Sequence, residues 1–155
     1  MKILEHLGNL AHLNIPKTAF LCSRQVPATT VLKCYDWAIA QRQACNCVIS
    51  GFHSQIEKDV LHYLINGTQP IIIVLARGLK INIEPQFEKP LEQGRLLIIT
   101  PFKKSITHVT KQTATIRNKL MLALTDNIMV GYKKAGGSLE KLLSSHLKPI
   151  AYLDS

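Results

Sequence analysis

The sequence predicts a doubly wound α/β fold, in which a Rossmann-like, mostly parallel sheet carries helices on both faces. Short apolar runs without polar alternation recur along the chain, which is typical of strands that are covered on both sides. Stretches with helical spacing separate these runs, and strands that alternate with helices form parallel sheets. The length of 155 residues, with 46% hydrophobic and 19% charged residues, suits one domain over residues 1–155.

The elements follow from apolar spacing and from helix start and stop signals. Leu4, Leu7, Leu10 and Leu13 recur at roughly helical spacing and predict a helix over residues 2–13, in an N-terminal helical segment 1–16 that Pro16 ends. Strands are predicted at residues 18–23, 47–50, 70–76, 95–100, 127–132 and 148–153. Further helices are predicted at residues 28–44, 54–66, 107–126 and 136–147. Residues 77–95 are predicted to be irregular, with a single helical turn.

The charge balance favours a polyanionic partner. There are 19 Lys and Arg residues against 10 Asp and Glu residues, so the formal net charge is +9. Nucleic acid, a phosphorylated ligand or an anionic membrane could each match this excess. No apolar stretch approaches the roughly 20 residues of a membrane helix, and the N-terminus lacks a signal peptide, so we expect a cytoplasmic protein. The four cysteines do not have zinc-site spacing and are expected to be reduced thiols, with no metal or other cofactor.

The position of the charge matters more than its total. In doubly wound sheets, ligands bind outside the carboxyl ends of the strands. Cations follow four of the first five predicted strands, at Arg24, Arg77, Lys103–Lys104 and Lys133–Lys134. The segments that enter the strands carry only Lys17 and no arginine. The charge is therefore directional and predicts an anion site at the carboxyl edge.

One turn at this edge, Ser50 to Ser54, has features of an anion site. Gly51 lets the backbone of the turn come close to a ligand, Ser54 is a helix N-cap, and Glu57 completes an S-x-x-E capping box. The N–H groups at the helix start would accept a phosphate or a carboxylate, although a capped structural helix is the alternative interpretation. A second glycine-led helix start lies at residues 136–138.

Three aromatic residues follow strands beside basic residues: Phe52, Phe102 and Tyr132. Aromatic side chains interleaved with cations are typical of a single-strand groove, where bases stack on the rings. The alternative is that these side chains anchor loops to the core. His53 lies in the same turn as Phe52, and no carboxylate–histidine–nucleophile pattern accompanies it, so we expect a binding residue rather than a catalyst.

Several motifs occur in an order that resembles a known family. Cys22-Ser23-Arg24 stands in place of a Gly-Ser/Thr-Arg turn, and residues 50–57 resemble a Ser-Gly-Leu-Ala-x-Gly-Ile-Asp stretch. Arg117-Asn118 resembles an Arg-Asn-Arg motif, and residues 137–139 resemble a Ser-Gly-Ser-Leu turn. Over residues 18–150 the chain is similar to the Rossmann-like domain of the DNA processing protein A (Smf) family, bacterial proteins that load recombinase onto incoming single-stranded DNA.

The resemblance implies a divergent, stand-alone member of that family without its additional helical domains. It implies single-stranded DNA or a nucleotide as the ligand, a recombinase as a partner, a homodimer and no membrane association. The candidate binding residues, from the charge pattern and the resemblance together, are Ser23, Arg24, Ser50, Gly51, Phe52, His53, Ser54, Arg77, Lys103, Lys104, Arg117, Asn118, Gly136, Gly137 and Ser138. The chain departs from the family pattern at Cys22, which replaces a glycine, and at Thr100, which replaces an acidic residue.

Two other functions use the same edge. Phosphoribohydrolases that act on nucleoside monophosphates carry a Pro-Gly-Gly-x-Gly-Thr-x-x-Glu loop, and residues 134–142 lack its proline, third glycine and threonine, although Glu140 falls nearby. The sequence therefore predicts no enzymatic activity. A sensor of free nucleotides would use the same site, and only the excess positive charge favours a longer polyanion.

Overall fold

The computed structural model describes residues 2–154, which form one seven-stranded sheet with helices on both faces. The strands are β1 (Glu5–Gly8), β2 (Lys17–Leu21), β3 (Cys47–Ser50), β4 (Ile71–Val74), β5 (Leu96–Thr100), β6 (Asn127–Val130) and β7 (Ile150–Tyr152). The helices are α1 (Ala28–Gln43), α2 (Gln55–Ile65), α3 (Pro85–Glu92), α4 (Lys111–Leu124) and α5 (Ser138–Leu143), and a 3-10 helix spans Leu10–Asn14. No helix in residues 2–154 is long and apolar enough to cross a membrane.

The sheet has the strand order β1-β5-β4-β3-β2-β6-β7, and every neighbouring pair except β1–β5 is parallel. From β2 the chain proceeds outward through β3, β4 and β5. It then crosses back through α4 to β6 on the other side of β2. The boundary between β2 and β6 is therefore the topological switch point of a Rossmann-like sheet. This architecture confirms the predicted fold class.

The core consists of one apolar layer on each face of the sheet. Helices α1, α2 and α3 pack on one face, where Phe20 of β2 stacks on Trp37 of α1 with ring centroids 5.0 Å apart. Helices α4 and α5 cover the other face, where Leu120, Met121 and Leu122 are fully or almost fully buried. Strands β3, β4 and β5 are buried at every residue, which explains their lack of polar alternation.

The predicted N-terminal helix is wrong. Residues 5–8 instead form the antiparallel edge strand β1, in which half-buried and exposed residues alternate. A spacing of three between leucines does not decide between a helix and a short strand, and pairing with β5 provides backbone hydrogen bonds that an isolated short helix lacks. Gly8, with φ of 102°, turns the chain where a side chain would collide with Leu96 O, and Asn9 then caps the 3-10 helix.

The other boundaries agree closely with the predictions, with three differences. Helix α5 ends at Leu143 rather than at residue 147. The segment predicted as irregular contains α3, an eight-residue helix that begins at Pro85, a residue suited to a first turn. Helix α4 begins at Lys111 rather than at residue 107, because the Thr110 side chain accepts a hydrogen bond from Thr113 N and fixes the N-terminus there.

Candidate nucleic-acid interface

The segments that follow the strands lie along one edge of the sheet, as predicted. In spatial order they follow β5 (residues 101–104), β4 (77–78), β3 (51–54), β2 (22–24) and β6 (131–134). Because neighbouring strands lie about 4.8 Å apart, these five strand ends cover about 19 Å. The cations that follow them therefore form a row along the edge rather than a single cluster.

Arg117 lies at the middle of this row, although it belongs to α4 on the other face of the sheet. Its side chain is 6% exposed and passes over the end of β3, where Gly51 leaves room for the guanidinium. Arg117 Nε donates to Asn118 Oδ1 at 2.7 Å. Burial lowers the pKa of Arg117, and the nearby Glu57 carboxylate raises it. The site thus contains a largely buried cation beside the backbone of residue 51.

Glu57 closes the N-terminus of α2. Its Oε1 accepts hydrogen bonds from His53 N at 2.9 Å and Ser54 N at 3.2 Å, and its Oε2 accepts one from Cys22 N at 3.1 Å. Burial raises the pKa of Glu57, while the backbone N–H groups and Arg117 oppose that rise. The helix start that was predicted to hold an external anion therefore already holds a carboxylate of the chain itself.

The turn after β3 is more deeply buried than the sequence predicted. Ser50 is fully buried, and its Oγ accepts from Phe52 N at 3.1 Å. Phe52 has a φ of 47° and is 5% exposed, because its ring packs into the core against α1 and α2. Base stacking on Phe52 is therefore a wrong prediction, and the loop-anchoring alternative is correct. Within residues 50–54, His53 is exposed, and Gly51 and Ser54 are half-buried.

The turns after β4 and β5 touch each other through Gly78. Its N–H donates to Ile106 O at 2.8 Å, and a side chain there would collide with the backbone of Lys103 and Lys104. Arg77 Nη1 donates to the carbonyl of Gly78 at 2.8 Å, and burial lowers the pKa of Arg77. The glycine thus lets the backbone of the turn that carries Arg77 pack against the backbone of Lys103 and Lys104.

Lys103 and Arg24 present charge to solvent more freely than the other cations of the row. Both side chains are exposed, and neither has a hydrogen-bond or ion-pair partner within residues 2–154. Lys104 Nζ lies 3.9 Å from Glu5 of β1. Ser23 plays a structural part beside Arg24, since its Oγ accepts from Lys134 N at 3.0 Å and joins the turns after β2 and β6.

The glycine-led start of α5 is closed in the same way as that of α2. Glu140 Oε1 accepts from Gly136 N at 3.1 Å, and Glu140 Oε2 lies 3.8 Å from Lys133 Nζ. Gly137 is the N-cap residue and no side chain caps the helix, while Ser138 is exposed. Both helix starts that were predicted to hold phosphate therefore carry a glutamate at the third helical position.

At the amino edge of the sheet, where the chain enters the strands, there are more cations than predicted, because Arg95 and Lys148 also precede strands. Unlike Arg24 and Lys103, the cations near the amino edge donate hydrogen bonds to backbone carbonyls. Lys17 Nζ donates to Leu13 O, Arg42 Nη1 to Tyr63 O, Arg95 to Ile65 O and Gln69 O, and Lys148 Nζ to the carbonyls of Leu122, Ala123 and Thr125. Cations that bind carbonyls at helix ends stabilise those ends. The two edges therefore differ less in the number of cations than in how those cations are engaged.

A shallow depression lies at the switch point. It has a volume of about 270 Å³ and is lined by Gln25, Val26, Pro27, Tyr132 and Lys134. The sequence indicated Tyr132 as a stacking residue but gave no sign of the cavity, because its walls come from segments more than 100 residues apart. Within residues 2–154 no group of three or more His, Cys, Asp or Glu side chains could hold a metal ion, and all four cysteines are free.

Comparison with known proteins identifies the family. The model of the DNA recombination-mediator protein A family matches residues 2–145. The chain belongs to this family. No curated protein matches the sequence.

Two solved structures of DNA processing protein A have the same fold as this family member. The protein from Helicobacter pylori, which binds single-stranded DNA in a mode described as unique, aligns with a TM-score of 0.75 at 18% identity, over 95% of this chain and 69% of its own. The protein from Streptococcus pneumoniae aligns with a TM-score of 0.74 at 16% identity, over 95% of this chain and 53% of its own. The chain thus spans about half of the length of the latter.

The residues of this chain that the resemblance assigned to a ligand pocket differ in their exposure. Gly51, Asn118 and Gly137 are half-buried. Arg24 and Ser138 are exposed at the edge, whereas Ser50 and Arg117 are buried beneath it. Sequence reasoning did not give Glu57 a role in joining the turns after β2 and β3. The S-x-x-E spacing indicated its contact with α2, but its bond to Cys22 N depends on the parallel pairing of β2 and β3.

Proposed function

We propose that this chain binds single-stranded DNA through its phosphates along the carboxyl edge of the sheet. The row of cations at successive strand ends carries the proposal, because it is about 19 Å long and its exposed members Arg24 and Lys103 have no partner within residues 2–154. One or two such cations would suffice for a mononucleotide, whereas a strand engages several together. The binding of single-stranded DNA by the Helicobacter pylori relative supports the same ligand.

Arg117 gives this row a fixed centre. Its Nε is held by Asn118, while its Nη nitrogens have no hydrogen-bond partner within residues 2–154 and still touch solvent. A guanidinium is planar and presents its donors in a fork that matches phosphate oxygens. A phosphate at the end of β3 would meet this fork without any rearrangement of α4.

We propose binding rather than catalysis. Glu140 is the acidic residue that a phosphoribohydrolase reaction would require, and its oxygens are engaged by Gly136 N and Lys133 Nζ. Those contacts support a structural role for Glu140 in the turn before α5. The recombinase partner, the homodimer and the cytoplasmic location implied earlier stay predictions.

Fluorescence anisotropy with a labelled oligothymidylate, a duplex and a labelled mononucleotide tests the proposal. We expect the single strand to bind most tightly, with a log–log dependence on salt of roughly −2 to −4 for three to five phosphate contacts. An affinity that does not depend on salt, or tight binding of the mononucleotide without binding of the strand, would overturn the proposal in favour of a nucleotide sensor.

A further inference from the structure

The depression at the switch point has the walls of a base site rather than those of a phosphate site. Its lining includes the apolar side chains of Val26 and Pro27 and the aromatic side chain of Tyr132, together with the polar residues Gln25 and Lys134. Its volume of about 270 Å³ equals roughly nine waters at about 30 Å³ each, which is room for a flat heterocycle. A phosphate, by contrast, requires donors on several sides and gains nothing from an apolar wall.

Tyr132 is held firmly at this position. Ser23 N donates to the carbonyl of Tyr132 at 2.9 Å, and Gly131 N donates to Leu21 O at 2.8 Å, so the backbone of β6 and its turn is tied to β2. The ring is half-buried and packs against the core layer that includes α1. An aromatic ring that is fixed on one side and open on the other offers a stacking surface without the loss of much side-chain freedom on binding.

The surroundings favour a base that belongs to a strand. Arg24 and Lys134 are exposed on the two turns that border the depression, and Lys134 Nζ is 3.4 Å from Gln25 Oε1. Phosphates on either side of an inserted base would lie near these two cations. Phe52, the aromatic residue of the neighbouring turn, is buried in the core, whereas Tyr132 lines the depression.

We propose that the depression takes one nucleobase of a bound single strand, stacked on Tyr132 and covered by Val26 and Pro27. This inference rests on the proposed function and adds a contact that does not depend on salt. Stacking on an aromatic side chain tolerates all four bases, since each has a π-face. The depression thus fixes where the strand bends toward the protein without fixing its sequence.

The experiment compares Tyr132→Leu and Tyr132→Phe with the wild type on two strands of equal length, one with all bases and one fully abasic. We expect Tyr132→Leu to weaken binding of the normal strand by about 5- to 150-fold, with an unchanged salt slope, and to leave binding of the abasic strand unaltered. Tyr132→Phe keeps the ring and should bind as the wild type does.

Comparison of the normal strand with the abasic strand distinguishes a stacking role of Tyr132 from a purely structural role. Equal losses on normal and abasic strands would mean that Tyr132 only supports the fold of the edge, and no loss on either strand would place the bases elsewhere; both results overturn the inference. A different result would overturn the proposed function itself, namely that no strand binds to the wild type in a salt-dependent way. Rescue by phenylalanine together with a loss confined to the normal strand would establish the base site.

Discussion

The guanidinium of Arg117 occupies the space that a side chain at Gly51 would need. A Cβ at residue 51 would stand 2.5 Å from Cζ and 2.9 Å from Nε of Arg117. Arg117 comes from α4, on the face of the sheet opposite α2, and it reaches the end of β3 only because residue 51 is a glycine. Gly51 thus makes room for the side chain of Arg117.

We predict that Gly51→Ala destabilises the protein by about 1–3 kcal/mol, because the guanidinium has to leave its position. Urea unfolding of Gly51→Ala, Arg117→Ala and the double variant measures this relationship. In the Arg117→Ala background the cost of Gly51→Ala should largely disappear, since nothing remains to collide. The same cost in both backgrounds would show that the two residues do not interact.

The sequence indicated that residue 51 has to be small, but it pointed to the approach of an external anion rather than to Arg117. The spacing of residues near Gly51 identifies a turn and a capped helix, and both are present. The contact with Arg117 joins residues that are 66 positions apart, so it depends on how α4 crosses the sheet. The buried strands were predictable because strands covered on both faces require continuous apolar runs. The edge strand β1 was not, because its pairing with β5 overrides local spacing.

The cations of the carboxyl edge should control the salt dependence of binding. We predict that Arg24→Ala and Lys103→Ala each weaken binding of a single strand to a similar extent for all sequences. Each should flatten the log–log salt slope by about 0.7, the value for one phosphate contact on a single strand. Anisotropy titrations between 50 and 200 mM salt measure both effects.

Lys89→Ala is the matched control for these variants. Lys89 is an exposed lysine in the last turn of α3, away from the carboxyl edge, so its removal changes the net charge by the same amount. We expect its salt slope to equal that of the wild type. If Lys89→Ala flattens the slope as much as Arg24→Ala does, net charge rather than the edge attracts the strand.

His53 reports the electrostatic potential of the edge. Partial burial, followed by the charges of Arg117, Lys58 and Arg24, lowers the pKa of His53 below its usual 6.5. Phosphates of a bound strand would favour the protonated ring and raise this pKa. Binding would then take up a proton in the window between the two pKa values, and affinity would increase as the pH falls through the bound-state pKa.

An NMR titration of the His53 ring in the free and bound protein checks this prediction. The free pKa should lie below 6.5 and should rise on addition of a single strand. His53→Gln removes the titrating group and should flatten the pH dependence of affinity across that window. An unchanged pKa in the complex would place the phosphates away from the turn after β3.

Glu57 should affect stability with a sign opposite to that of most carboxylates. Burial raises its folded pKa above 4.5, so the folded state binds the proton more tightly than the unfolded state does. The ionised group therefore costs stability above its folded pKa, and this cost is relieved as the pH falls toward 4.5. Measured by urea unfolding, the stability of the wild type relative to Glu57→Gln should rise as the pH is lowered through that window. If the stability of the wild type relative to Glu57→Gln falls as the pH is lowered, the result contradicts a raised folded pKa of Glu57.

The last prediction concerns Gly78, which holds the two basic turns of the β4–β5 end together. A Cβ there would stand 2.7 Å from the carbonyl carbon of Lys103 and 2.7 Å from Cα of Lys104, so Gly78→Ala has to separate the turns. We expect a long oligonucleotide that spans the row to lose affinity, with a flatter salt slope. A short oligonucleotide that is held at the β2–β6 end should bind as it does to the wild type. Anisotropy titrations with a dodecamer and a tetramer distinguish these outcomes, and thermal unfolding of Gly78→Ala shows whether the fold persists. Equal losses for both lengths would mean that the strand does not run along the edge, because a break at one end of a continuous row affects only the strands long enough to reach it.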